Sequence, residues 1–183
     1  MEIVAIVGMT GAGKSEVAHL FQESGFKKVR FGDITDKEIK KQGLEFSEEN
    51  ERRIREQLRC SYGMAAYAML NLSRIDLALK KSPVVVDGLY SWEEYSFLSN
   101  YYRERFGVVA VWSSPKLRYA RLAKRRERPL SNEEAASRDE AEIMNLNKSG
   151  PIAMADFTIQ NEANLKDLRR EVKRVITALR RSN

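Results

Sequence analysis

The eight residues GMTGAGKS at positions 8–15 restrict the fold of this chain more than any other stretch. They spell Gly8-x-x-x-x-Gly13-Lys14-Ser15, the pattern of a phosphate-binding loop. The preceding residues, Ile3-Val4-Ala5-Ile6-Val7, form a short apolar run of the kind found in buried parallel strands. After the loop, Val17, Ala18, Leu20 and Phe21 recur at helical spacing. Strand, glycine-rich turn and helix in that order call for an α/β fold built on a parallel sheet.

The residue types fit the chemistry of anion binding. Glycines let the backbone turn tightly and aim its N–H groups at anionic oxygens, and the new helix adds its positive N-terminal end. Gly8, Met9, Thr10, Gly11, Ala12, Gly13, Lys14 and Ser15 are therefore the expected cradle for the phosphates of a nucleoside triphosphate. Lys14 is placed to reach the β- and γ-phosphates, and the Ser15 hydroxyl to hold Mg²⁺. A plain glycine-rich turn with an exposed lysine is the competing reading. It leaves the Lys-Ser pair and both flanks unexplained.

With 183 residues the chain has room for one α/β domain, 1–183, with a real core. It has no apolar run of about 18 residues, so no membrane span is expected. The N-terminus shows no basic region or cleavage site, and a cytoplasmic location is the expectation. Cys60 stands alone, which rules out an internal disulfide and fits a half-buried structural thiol. His19 is the only histidine and falls on the solvent side of the first helix; one Cys and one His leave no zinc site. The net charge of +6 points either to nucleic acid or to a site that surrounds several phosphates.

Strands and helices alternate along the chain. Strand two is expected at Lys28–Phe31, and one long helix from near Ser47 with an apolar stripe of Ile54, Leu58, Tyr62, Ala65, Met69 and Leu72. Val84-Val85-Val86-Asp87 reads as a buried strand ending in an acid. Ser91 and Glu94 form a capping box for a helix carrying Trp92, Tyr95, Leu98 and Tyr102 inward. Val108–Trp112 is strand four, Pro115 opens a helix, Ser131 and Glu134 cap another, and Phe157–Ile159 is strand five. The closing helix places Leu165, Leu168, Val172, Val175, Ile176 and Leu179 on one face. Five strands in this order make a P-loop three-layer α/β sandwich with a five-stranded parallel sheet.

Two carboxylates stand at strand ends. Asp87 suits a Walker-B acid near the Mg²⁺, with a turn-capping Asp as the alternative. Asp33 follows strand two in Arg30-Phe31-Gly32-Asp33, on the same sheet edge as the loop. It could deprotonate an acceptor hydroxyl, orient the acceptor, sit in the outer shell of the Mg²⁺, or cap the next helix. Between strands four and five lie Arg118, Arg121, Lys124, Arg125, Arg126, Arg128 and Arg138, with Arg118, Arg121 and Arg125 expected on one helical face. Positive groups on a cover that excludes water suit phosphoryl transfer; a solvated basic surface is the alternative. The basic residues of the last helix read as a solvated face.

The loop, the Gly32-Asp33 pair and Asp87-Gly88 resemble adenylate kinase and other nucleoside monophosphate kinases. The tail Ala155-Asp156-Phe157-Thr158-Ile159-Gln160-Asn161 with Leu165-Lys166-Asp167-Leu168 resembles dephospho-coenzyme A kinase. The combination is similar to an archaeal P-loop kinase family related to both enzymes, over nearly the whole chain. The resemblance implies ATP and Mg²⁺ as cofactors and a helical acceptor region at about 33–80. It also implies an arginine-rich lid at about 118–150, in which Arg121 and Arg125 match lid-helix arginines and Arg138 an arginine after the lid. It places Asn161 where related kinases pass the chain over adenine. Two acceptor-phosphate arginines of adenylate kinases are replaced here by Asp36 and Ser91; Arg52, Arg55 and Arg59 could substitute or form a solvated face.

The leading expectation is ATP-dependent phosphoryl transfer to a small nucleotide-like acceptor. The alternatives are hydroxyl phosphorylation of the dephospho-coenzyme A kinase type, or an ATPase-type nucleotide switch with an RNA or protein partner. The lack of an aromatic-interleaved basic surface weighs against nucleic acid. Asn147-Lys148-Ser149-Gly150 lacks the aspartate of a guanine-recognition motif, which favours ATP over GTP.

Overall fold

The computed structural model describes residues 1–126 and 129–181. Five strands, β1 (Ile3–Val7), β2 (Lys27–Arg30), β3 (Val84–Asp87), β4 (Phe106–Trp112) and β5 (Phe157–Gln160), form one sheet in the order β2-β3-β1-β4-β5. All the pairings are parallel. Parallel neighbours need crossovers, and the intervening helices cover both faces.

The period-two alternation of strand side chains splits the core in two. Val4, Ile6, Val85, Val109, Val111 and Ile159 pack against α1 (Lys14–Glu23) and α9 (Leu165–Arg181). Ile3, Ala5, Val7, Val84, Val86, Val108 and Ala110 face the other way. They pack with α2 (Asp33–Lys41), α3 (Glu48–Tyr62), α4 (Ala66–Leu79) and α5 (Trp92–Tyr102). Three further helices, α6 (Pro115–Ala123), α7 (Asn132–Met144) and α8 (Ser149–Ala153), lie between β4 and β5. The chain leaves β1 toward β2 and β3 on one side and later crosses to β4 on the other. That switch point, at the carboxyl ends of the strands, is where open α/β sheets bind ligands.

The helix expected to run from Ser47 to Leu72 is two helices. Gly63 interrupts it at φ +77° and ψ −179°, a conformation that no helix accommodates. The apolar stripe breaks with it: Ile54 and Leu58 are buried, but Tyr62 and Met69 are exposed. Cys60 is exposed rather than half-buried, because it lies on the outer side of α3. Trp92 and Leu165, at the first turns of their helices, are also exposed (40% and 48%) instead of inward. The capping box of Ser131 and Glu134 forms in full, and Ser91 Oγ accepts the Glu94 N–H. Among the described residues no helix is long and apolar enough to cross a membrane.

Candidate functional site

The phosphate loop stands at the carboxyl end of β1, the central strand, and its glycines meet a steric demand. Gly8 has φ +144°, and a Cβ there would lie 2.3 Å from the Val111 carbonyl oxygen. Gly13 caps α1 at φ +99°, and its Cβ would lie 2.3 Å from Asn161 Nδ2. The loop is thus pressed against β4 and the segment after β5. Lys14 Nζ donates to Gly8 O at 2.8 Å and to Met9 O at 3.0 Å, which folds the side chain over the loop. Burial, and then the like charge of Lys148, lower the Lys14 ammonium to about 7 against the opposing pull of Glu142 and Asp87.

Ser15, the second residue of α1, is exposed. Asp87 ends β3, paired with Ile6 of β1, and is nearly buried. Burial pushes its carboxyl up, and Lys28, Lys14 and Arg30 oppose that. No group of three or more His, Cys, Asp or Glu able to hold a metal exists among the described residues. One hydroxyl and one carboxylate fit Mg²⁺, which keeps most of its waters and takes its remaining ligands from nucleotide phosphates.

The segment after β4 divides the arginines by role. Arg118 is buried and makes a bidentate pair with Asp139, Nη1 to Oδ1 at 2.8 Å and Nη2 to Oδ2 at 2.6 Å. It also donates to Thr10 O (3.0 Å) and Ser113 O (3.2 Å), so it ties α6, α7 and the loop together. Arg121 Nη1 donates to Ser113 Oγ (3.0 Å) and Nη2 to Asn161 O (2.9 Å). Asn161 Nδ2 in turn donates to Ala12 O at 2.8 Å. The Asn161 amide therefore braces the loop. The expected common face of Arg118, Arg121 and Arg125 does not form, because α6 ends at Ala123 and Arg125 lies beyond it. Partial desolvation, and then the like charge of Arg138, lower the Arg125 guanidinium. Arg138 Nε lies 3.6 Å from Glu142 Oε1. Arg128 lies outside the described residues.

On the other side of the loop, Asp33 opens α2 and is held between two guanidinium groups. Arg74 Nη2 lies 2.5 Å from its Oδ2, and Arg30 Nη1 lies 3.2 Å from its Oδ1. Arg74 is itself anchored to Asn71 Oδ1 and to Arg30 O, and Asn71 is fully buried. Asp36 pairs with Arg30 at 2.5 Å. Arg52 and Arg55 are engaged with Glu56 and with Glu48 and Glu51. Arg59 lies over the Tyr67 ring, 5.5 Å from its centroid, with its buried Nε unpartnered.

Two groups that sequence reasoning passed over complete the site. Glu142 of α7 accepts the Thr10 N–H at 3.3 Å and the Thr10 hydroxyl at 2.5 Å. Lys148, fully buried, donates to Glu142 Oε2 at 2.8 Å. Burial alone would raise the Glu142 carboxyl, but Lys148 and the bonds from Lys148 and Thr10 hold it down at about 2. Neither residue sits in a motif, and a lysine far from the loop in sequence gives no signal of burial.

Comparison with known proteins agrees with this geometry. Residues 4–145 match the AAA domain family. A UPF0200 protein of Thermococcus gammatolerans is 35% identical over 178 residues, covering 95% of this chain and 93% of that protein. Among solved structures, shikimate kinase from Acinetobacter baumannii, in complex with shikimate, aligns with a TM-score of 0.59 and 17% identity over 100% of this chain and 95% of that one. Dephospho-CoA kinase from Campylobacter jejuni aligns at 0.57 and 16% over 97% and 96%. The two structural likenesses are of fold, and they bear out the P-loop kinase-like sandwich expected from the sequence. The chain belongs to the UPF0200 family, within the AAA domain group of P-loop proteins.

Proposed function

We propose that this protein transfers the γ-phosphoryl group of ATP to a small nucleotide-like acceptor. The observation that carries the reading is the phosphate loop at the switch point of the sheet, with Lys14 folded over it. Gly8 through Ser15 would bind the triphosphate, and Ser15 and Asp87 would hold Mg²⁺, which would offset the charge of the phosphates. Lys14 neutralises charge on the transferring phosphoryl. Arg125 and Arg138, on the segment at 118–150, close over it as a lid, while Arg121 and Asn161 fix the wall of the nucleotide site. Such an enzyme acts in the cytoplasm on a soluble substrate.

The acceptor lies among α2, α3 and α4, at the edge marked by Asp33. An ion-paired Asp33 orients the acceptor rather than deprotonating it. A phosphate oxygen as nucleophile needs no base, so this pairing favours a nucleoside monophosphate over a hydroxyl acceptor of the dephospho-coenzyme A type. The test is transfer from γ-labelled ATP with Mg²⁺ to AMP, CMP, UMP, GMP or dephospho-coenzyme A, with Lys14→Ala as blank. Label on one monophosphate is the expected result. Label on dephospho-coenzyme A would favour the hydroxyl reading. Phosphate release unaffected by every acceptor would replace transfer with a nucleotide switch that has an RNA or protein partner.

A further inference from the structure

Lys148 stands at the N-cap of α8, and its whole surface is removed from water (0% exposed). Lysine is among the residues least often found there unless it is paired. Its ammonium lies 5.3 Å from the Tyr90 ring centroid and 2.8 Å from Glu142 Oε2. That same oxygen accepts the Thr10 N–H of the phosphate loop at 3.3 Å. One carboxylate oxygen therefore joins a loop amide to a buried ammonium, the pair of donors that a phosphate oxygen would take. Arg138 approaches the other oxygen of Glu142, and the charges of Lys14 and Glu94 also reach Lys148 or its partner. Around the loop Lys14, Lys148 and Arg138 face Glu142, Asp87 and Glu94, so an incoming phosphate meets cations already held by carboxylates it must displace.

We propose that Lys148 is a second phosphate-binding lysine of this site and that Glu142 fills the place of a phosphate oxygen until the triphosphate displaces it. The inference rests on the nucleotide-site reading above. Lys14 reaches the phosphates from the helix side of the loop, and Lys148 reaches them from the lid side, across Thr10. The terminal phosphate is the one that extends beyond the loop. Lys148 therefore distinguishes ATP from ADP, and Glu142 competes with the γ-phosphate for it.

The two residues make opposite predictions. Equilibrium titration with Mg-ATP and Mg-ADP should show Lys148→Met weakening ATP by about tenfold or more, the worth of a charge-assisted hydrogen bond. ADP should change far less. Glu142→Gln, which keeps the shape but removes the competing charge, should tighten ATP. Lys148→Arg should retain a preference for ATP. If Lys148→Met fails to fold, the double variant Lys148→Met/Glu142→Gln removes both charges and should bind ATP no better than ADP. Equal losses for both nucleotides in Lys148→Met, or weaker ATP binding in Glu142→Gln, would make the pair a scaffold and overturn the inference. A wild type that binds ATP while Lys148→Met keeps its ATP-to-ADP ratio overturns this inference alone. A wild type that binds neither nucleotide overturns the nucleotide-site reading as well.

Discussion

Replacing Asp139 with alanine tests how the segment at 118–150 is held to the phosphate loop. Asp139 accepts two hydrogen bonds from Arg118 and one from Tyr119 Oη, at 3.0 Å. The side chains of Arg118 and Asp139 are 5% and 13% exposed. In Asp139→Ala the guanidinium keeps its bonds to Thr10 O and Ser113 O but loses its bidentate carboxylate partner. An uncompensated buried charge costs about 3–5 kcal/mol. For a chain of this length each kcal/mol moves Tm by about 2–4 °C, so a fall of roughly 6–20 °C is expected. Thermal melts followed by circular dichroism would measure it. Arg118→Met/Asp139→Leu, which removes both charges and fills the space, should recover much of the loss. A fall worth less than about 1 kcal/mol, the range of surface pairs, would refute the argument. So would a double variant as unstable as the two single changes added together.

Three further outcomes follow from the site. Bound phosphate should raise the Lys14 ammonium from about 7 toward its ordinary value. ATP binding at pH 8 should then take up a proton, and affinity should fall as pH rises above 7; calorimetry in buffers of different ionisation enthalpy would show the uptake, and its absence would count against a depressed Lys14. Burial raises the Glu94 carboxyl to about 7 from its ordinary 4.5. The unfolded chain therefore gives up this proton first, and the native state loses stability as pH rises through that window. Glu94→Gln should lose less Tm than wild type between pH 5 and pH 8, and parallel curves would contradict the assignment. Gly13→Ala should abolish ATP binding or folding, because Asn161 Nδ2 occupies the space and φ is +99°; a normal melt with normal binding would show that the loop can open there.

The loop, the sheet and the caps were legible because each rests on local chemistry. Glycine spacing, apolar runs and Ser-x-x-Glu pairs act over a few residues. The break at Gly63 was missed because a lone glycine inside a helical pattern is often tolerated, and only its φ and ψ show that it ends α3. Arginines were legible as a cluster but not one by one. Arg118 is a buried strut and Arg121 braces Asn161, while Arg125 sits past the end of α6. Arg74 meets Asp33 from α4, and Lys148 meets Glu142 from α8. Those contacts depend on how helices pack, and residue spacing does not record it.

The most direct measurement is calorimetric titration of the purified protein with Mg-ATP, beside Lys14→Ala. Saturable binding at one site per chain, lost in Lys14→Ala while the variant melts normally, is the predicted result. No binding to wild type, or the same binding to both proteins, would contradict a nucleotide site built on residues 8–15.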